Sequence, residues 1–173
     1  MSALTQMRRL KDQSFATDPY SPIPAKDRAS FTGLAYFPEN EDLSFIVEIE
    51  ETTVHTEITF QTSTGDVVIY NQFGQVQFSV EGQTQYLTVY QSPEHFELFL
   101  PFADATTGTE TYGGGRYVDV QPLGSNQYEI DFNQAYNPFC AYSDQWSCPL
   151  PPPENRLKVR IEAGEKAYQA SSA

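Results

Sequence analysis

The sequence predicts an all-β chain, an antiparallel β-sandwich or barrel of about nine strands, with an N-terminal helix and a long C-terminal loop. Two observations carry this prediction. Short runs rich in β-branched and aromatic residues recur from Leu43 onward, and turn chemistry such as Ser63-Thr-Gly-Asp66, Glu81-Gly82 and Ser92-Pro93 separates them at hairpin spacing. Helix-favouring residues, by contrast, collect near the start of the chain.

From Leu4 to Phe15 the residues favour a helix that Asp18-Pro19 ends. Its apolar set, Leu4, Met7, Leu10 and Phe15, makes an imperfect stripe, so the helix needs a body to pack on. Residues Ser21 to Arg28 suit a short helical turn, with proline near its start, where a missing N–H is harmless. Phe31 to Pro38 reads as an aromatic connector. The expected strands are 43–50, 54–62, 67–71, 75–80, 86–91, 96–101, 116–121, 128–132 and 157–162. Alternation places Phe45, Val47 and Ile49 on one face and Phe78 and Val80 on another, as core positions. With 173 residues, 39% of them hydrophobic, the chain suits one domain spanning 1–173, in which residues 1–30 form a helical segment packed on the β body.

Charge is segregated. Residues 1–28 carry net +2, residues 29–155 net −17 and residues 156–173 net +2. Arg116 is the one Lys or Arg between Ala29 and Asn155, against eighteen acidic side chains. Nucleic acid and anionic membranes are poor partners for such a body, because both draw affinity from clustered basic groups. No segment reaches the ~20 apolar residues of a membrane span, and the first residues lack the apolar centre of a signal peptide. A cytoplasmic protein is the default expectation. Two cysteines, Cys140 and Cys148, do not make a disulfide scaffold.

Residues 116–121 and 127–132 flank Pro122-Leu-Gly-Ser-Asn126, a plausible five-residue hairpin loop. Setting Gln121 opposite Gln127 places Val118 against Ile130 and Arg116 against Phe132, with Arg116 facing inward beside Val118 and Val120. A guanidinium there needs a carboxylate or several carbonyls. The same register gathers Asp119, Glu129 and Asp131 on the opposite face, where solvation accounts for them better than a bound cation. Gly113-Gly114-Gly115 is not a phosphate loop, since no Lys-Ser/Thr follows and the next element reads as a strand. Positive φ angles or close backbone approach explain three glycines more simply, with an anion-binding nest as the alternative.

The segment between Asn133 and Asn155 is long for a connection, and Tyr136, Phe139, Tyr142, Trp146 with Pro149, Pro151, Pro152 and Pro153 argue that it packs on the surface. Here the phrases Asp104-Ala-Thr-Thr-Gly-Thr-Glu-Thr-Tyr-Gly-Gly-Gly-Arg-Tyr-Val-Asp119, Asp131-Phe-Asn-Gln-Ala-Tyr-Asn-Pro-Phe-Cys-Ala-Tyr142, Cys148-Pro-Leu-Pro-Pro-Pro-Glu-Asn155 and Ala163-Gly-Glu-Lys166 stand out. Together with Ser21-Pro-Ile-Pro24 and Gly33-Leu-Ala-Tyr-Phe-Pro38, they resemble a bacterial family catalogued as a domain of unknown function. The resemblance implies a fold unit and a distinctive C-terminal half, and no activity, cofactor or oligomeric state.

Cys140 and Cys148 read equally well as a disulfide or as two structural thiols. Zinc is disfavoured, since CxxC spacing is absent and only His55 and His95 could complete a site. Three functional readings follow. The leading one is a binding module for a small anionic or polar ligand, with a pocket near Arg116 drawn from Asp104, Glu110, Tyr112, Gly113, Gly114, Gly115, Tyr136, Asn137, Glu154 and Asn155. Its rival is a hydrolase using Asp104, Glu110, Asp131 or Glu154, with or without a metal. In the third, Arg116 pairs internally and the signature is architecture or serves protein interaction.

Overall fold

The computed structural model describes residues 1–54 and 56–170, so His55 lies outside the described residues. Helix α1 spans Ala3–Thr17, with the Ser2 Oγ accepting from the Thr5 N–H at 3.1 Å as its N-cap. A short α2, Ala25–Arg28, follows Pro24. Among the described residues eight strands come next: β1 Ser44–Glu48, β2 Glu57–Gln61, β3 Val67–Val80, β4 Gln83–Gln91, β5 Leu98–Phe102, β6 Arg116–Val118, β7 Gln121–Gly124 and β8 Gln127–Asp131. These strands pair antiparallel, in a three-stranded sheet ordered β1-β8-β7 and a five-stranded sheet ordered β2-β3-β4-β5-β6. Among the described residues, no helix is long and apolar enough to cross a membrane.

The sheets face each other across one core, and alternation supplies it: Val76, Phe78 and Val80 point inward from β3 while Gln75, Gln77 and Ser79 stay exposed. Phe132, fully buried, sits at its centre with ring centroids 5.2 Å from Phe102, 5.4 Å from Phe78 and 6.1 Å from Phe45. The barrel alternative is corrected here, because neither sheet closes. β1 and the far half of β3 meet through side chains, as in the Phe45–Phe78 contact at 5.2 Å, and not through a hydrogen-bonded ladder. A smaller apolar cluster of Phe15, Ile23 and Tyr142, backed by Phe31, Leu34 and Tyr168, fastens the end of α1 to the body.

The expected strands come out differently in three places. The runs 67–71 and 75–80 form one strand, continued through an irregularity between Gln72 and Gly74 that leaves Phe73 buried. The run 116–121 splits. Its first half, β6, pairs with β5, placing Arg116 opposite Phe102, while its last residue, Gln121, begins β7, which pairs with β8. The hairpin register is therefore corrected: Gln121 lies opposite Glu129, not Gln127, and the turn is Ser125-Asn126 instead of five residues. Both turn residues have positive φ, 52° and 62°, the geometry that matches strand twist in two-residue hairpins. Glu129 consequently faces Gln121 and not Asp119, which removes the direct opposition of acidic side chains.

The third difference is 157–162, which forms no strand. Its backbone bonds elsewhere: the Leu157 N–H to Ala103 O at 2.8 Å, Val159 O to the Ala105 N–H at 2.9 Å, and the Ile161 N–H to the Asp104 carboxylate at 2.6 Å. The long loop is packed as expected. Ser63 N–H donates to Cys148 O at 3.0 Å, Leu150 N–H to Gln61 O at 2.9 Å and the Tyr117 hydroxyl to Pro149 O at 2.6 Å, so the loop lines the end of β2.

Gly115, at φ +84°, is the glycine of its triplet that the fold requires. A Cβ there would lie 2.6 Å from Pro151 and 2.7 Å from Phe102 O. Gly115→Ala is expected to destabilise the protein by more than about 1 kcal/mol, read from the urea midpoint, because it adds both strain and a clash. A midpoint equal to that of the wild type would contradict this account.

Candidate functional site

Arg116 is fully buried, as the inward reading of the sequence required. Its Nη1 donates to Ala163 O and, at 3.2 Å, to Glu165 O; its Nη2 donates to Ile161 O at 2.9 Å and lies 3.6 Å from Asp104. The guanidinium also stands 5.1 Å from the Phe102 ring centroid. Burial works against its charge and Asp104 supports it. Asp104 is held in turn by the Thr106 hydroxyl at 2.8 Å, the Thr107 hydroxyl at 3.2 Å and the Ile161 N–H. Arg116 thus fastens the segment 161–165 to the sandwich. Arg116→Met should cost about 3–5 kcal/mol by stranding Asp104, and adding Asp104→Asn should recover part of that loss in urea titrations.

The other sequence candidates occupy separate places. Glu110 pairs with Arg160 at the surface, and the Tyr90 hydroxyl donates to Glu154 at 2.6 Å. Asn155, fully buried, spends its side chain on Thr88 N–H, Thr88 O and Pro101 O, each at 2.8 Å, substituting for a strand partner. Tyr112 approaches the Cys140 sulfur at 3.4 Å. Gly113 is exposed, and Gly114 is crowded by the Tyr112 ring. Asp131 caps the turn at 132–134 by accepting from the Asn133 N–H at 3.0 Å. Asn137 and Tyr136 flank Glu165: the Asn137 N–H donates to its carboxylate at 2.8 Å, and Tyr136 lines the same cleft.

Both cysteines are free thiols, with the Cys140 N–H donating to the Cys148 sulfur at 3.3 Å. Burial pushes the Cys148 thiol up to about 11. A raised value means little thiolate at neutral pH, so Cys148 alkylation by iodoacetamide should be slow at pH 7 and still rising above pH 9. A plateau below pH 8.5, read by mass spectrometry of the Cys148 peptide, would overturn this. Among the described residues no group of three or more His, Cys, Asp or Glu could hold a metal ion. His95 is exposed beside Glu94.

What does converge is a cleft of about 190 Å³ where α1 lies against the body. Lys11 pairs with Glu165, a carboxylate only 2% exposed, whose other oxygen accepts from Asn137 N–H and the Tyr142 hydroxyl, both at 2.8 Å. Arg8 donates to Phe37 O at 3.3 Å and Asn133 O at 3.1 Å and stacks 4.3 Å over the Tyr36 ring. Across from them the Tyr136 hydroxyl donates to Asp119 at 3.1 Å. In the walls, the Arg8 Nε and the Tyr36 hydroxyl are buried without a hydrogen-bond partner. Burial first, then the Glu165 charge, raises the Tyr36 hydroxyl well above its ordinary range, so it stays protonated. Burial and Asp119 do the same for Tyr136. The cleft therefore combines fixed charges of both signs, neutral hydroxyls and the apolar side chains of Leu4 and Met7.

Sequence reasoning missed Arg8 and Lys11, and it placed Glu165 and Tyr36 in signature phrases without a role. The available signal was the basic character of residues 1–28 beside an acidic body.

A β-sandwich with an N-terminal helix closing a polar cleft is the class that fold and site define. Residues 29–166 match the family described as "Protein of unknown function (DUF1684)", and the chain belongs to that family. Arg8 and Lys11 lie before the matched residues. The chain is also similar to an uncharacterized protein from gene locus rrnAC0354 of Haloarcula marismortui, solved by solution NMR, at 36% identity and a TM-score of 0.72, covering 94% of this chain and 91% of that one. The expected bacterial family is thus seen in an archaeal relative as well. No curated protein matches the chain.

Proposed function

We propose that this protein is a binding module whose ligand site is the cleft beneath α1, taking a small polar molecule. The observation that supports this most is the pair of buried, unpartnered polar atoms, Arg8 Nε and Tyr36 OH, in the walls of a cleft already furnished with Lys11, Glu165 and Tyr136. Buried polar groups in native proteins are normally satisfied, and exceptions point to a ligand, water or function. Arg116 enters this reading as a positioning residue. It donates to Glu165 O, and so sets the backbone from which the Glu165 side chain reaches the cleft. The pocket expected near Arg116 is then one residue layer away from its guanidinium. The glycine triplet and Tyr112 support the loop that carries Arg116, instead of touching the ligand.

Titration of the full chain with a panel of small polar molecules, followed by amide chemical shifts, tests the reading. Hits are expected to perturb Arg8, Tyr36, Asn133 and Tyr136 together, and Arg8→Met is expected to weaken them at least tenfold while leaving distant amides unchanged. Hits that gather in the open groove at Gln75–Phe78, or no hits at all, would overturn it.

A further inference from the structure

The Lys11 ammonium occupies a site whose chemistry is that of ammonium recognition. Its Nζ contacts Glu165 Oε1 and lies 5.4 Å from the Tyr136 ring centroid and 5.3 Å from that of Phe15. A cation between aromatic faces and against a carboxylate is the arrangement by which proteins hold organic ammonium groups. Glu165 is committed to this role. Its Oε2 is held by Asn137 N–H and the Tyr142 hydroxyl, and its Oε1 faces Lys11. With 2% exposure it cannot turn to solvent, so it requires a cation. The neighbouring cations are engaged elsewhere: Lys166 stands over the Phe37 ring at 4.9 Å, and Arg116 is bound to backbone carbonyls.

Lys11 itself is held less firmly than the carboxylate it serves. Its side chain is 31% exposed and reaches Glu165 from α1, on a flexible stem at the edge of the cleft. Swinging that stem outward would vacate the ammonium position while leaving Phe15 and Tyr142 packed edge to face at 5.3 Å and α1 held by Arg8 and Asp12. The space beside it, about 190 Å³ against Met7 and Tyr36, suits a compact body of a few carbon atoms.

We propose that the ligand of this cleft carries a primary ammonium, and that Lys11 is its built-in competitor: the ligand's ammonium replaces Lys11 Nζ at Glu165 Oε1 beside Tyr136, and Lys11 moves to solvent. The proposal rests on the cleft being the binding site and adds the chemical class of what enters it. The exchange substitutes one cation for another, so the buried carboxylate is never left uncompensated. No bond is made or broken and no proton needs to move.

The test uses the full chain and n-butylammonium chloride as the probe, with n-butanol and tetramethylammonium chloride at equal concentration as controls. Wild-type protein is expected to show a saturable shift of the Asn137 and Tyr142 amides with n-butylammonium alone, together with a change in the Lys11 side-chain resonances. Lys11→Ala is expected to bind the probe at least tenfold more tightly, and Tyr136→Leu more weakly. Glu165→Gln is expected to lose the response, with its circular dichroism spectrum checking that it folds. If Glu165→Gln does not fold, the Lys11→Ala and Tyr136→Leu comparisons decide.

A response in Lys11→Ala with none in wild type would overturn the proposal by making Lys11 a permanent structural staple. Equal binding of n-butanol would overturn it as well. If other polar molecules perturb Arg8 and Tyr36 while n-butylammonium does not, the ammonium assignment falls and the cleft reading stands. If no small molecule perturbs them, both fall.

Discussion

A fully buried arginine must be surrounded by acceptors, and much of this fold is arranged around that requirement. Arg116 cannot keep its charge in the interior of a sandwich without acceptors, and its two terminal nitrogens find them on a segment about fifty residues further on, while its Nε has no partner. Ala163 O, Glu165 O and Ile161 O converge on its terminal nitrogens, with Asp104 as the counterion. That demand draws β6 away from the hairpin with β8 and into the five-stranded sheet beside Phe102. It also ends the run of backbone bonds that 157–162 makes to Ala103 and Ala105, because the Ile161 carbonyl and N–H are spent on two charged side chains. Gly164, at φ +78° and with Ala135 O 2.7 Å from where a Cβ would stand, lets the same segment turn closely over the core.

The site is a consequence of that arrangement. Once 161–165 is fastened, the Glu165 side chain projects into the layer between the body and α1, where Asn137 N–H and the Tyr142 hydroxyl receive one oxygen and Lys11 the other. The helix has little apolar surface to contribute: of its residues only Phe15 is buried, while Met7 and Leu10 remain exposed. Its attachment is largely polar, through Arg8 to two backbone carbonyls, Lys11 to Glu165 and the Leu34 N–H to Asp12 at 3.0 Å. A basic helix on an acidic body is the use this fold makes of its segregated charge. The polar attachment leaves a cleft of about 190 Å³ between α1 and the body.

Much of this was legible in the residues. The alternation around Phe45 and Phe78, the turn pairs and the Leu4–Phe15 region translate into strands, hairpins and α1 with small shifts of boundary. The inward direction of Arg116 was legible too, because an apolar neighbourhood of Val118 and Val120 left it no other face. The hairpin register was not, since a five-residue loop and a two-residue turn at Ser125-Asn126 fit the same sequence, and only the positive φ of both turn residues separates them. Nor was Asn155, a polar residue in a proline-rich loop, recognisable as the side chain that bridges Thr88 and Pro101.

By itself, then, the sequence determined the class of fold, the inward arginine and the separation of basic ends from an acidic body. These follow from period, turn chemistry and composition, which act over a few residues at a time. The tertiary structure decided which sheet β6 joins, that neither sheet closes, and that Lys11 meets Glu165 across 154 positions of sequence. Such pairings depend on how a buried charge finds its acceptors once the core has formed, and no local pattern encodes the answer. Arg116 was visible as a cation in need of partners; who those partners are, and the cleft they set beside α1, existed only in the folded chain.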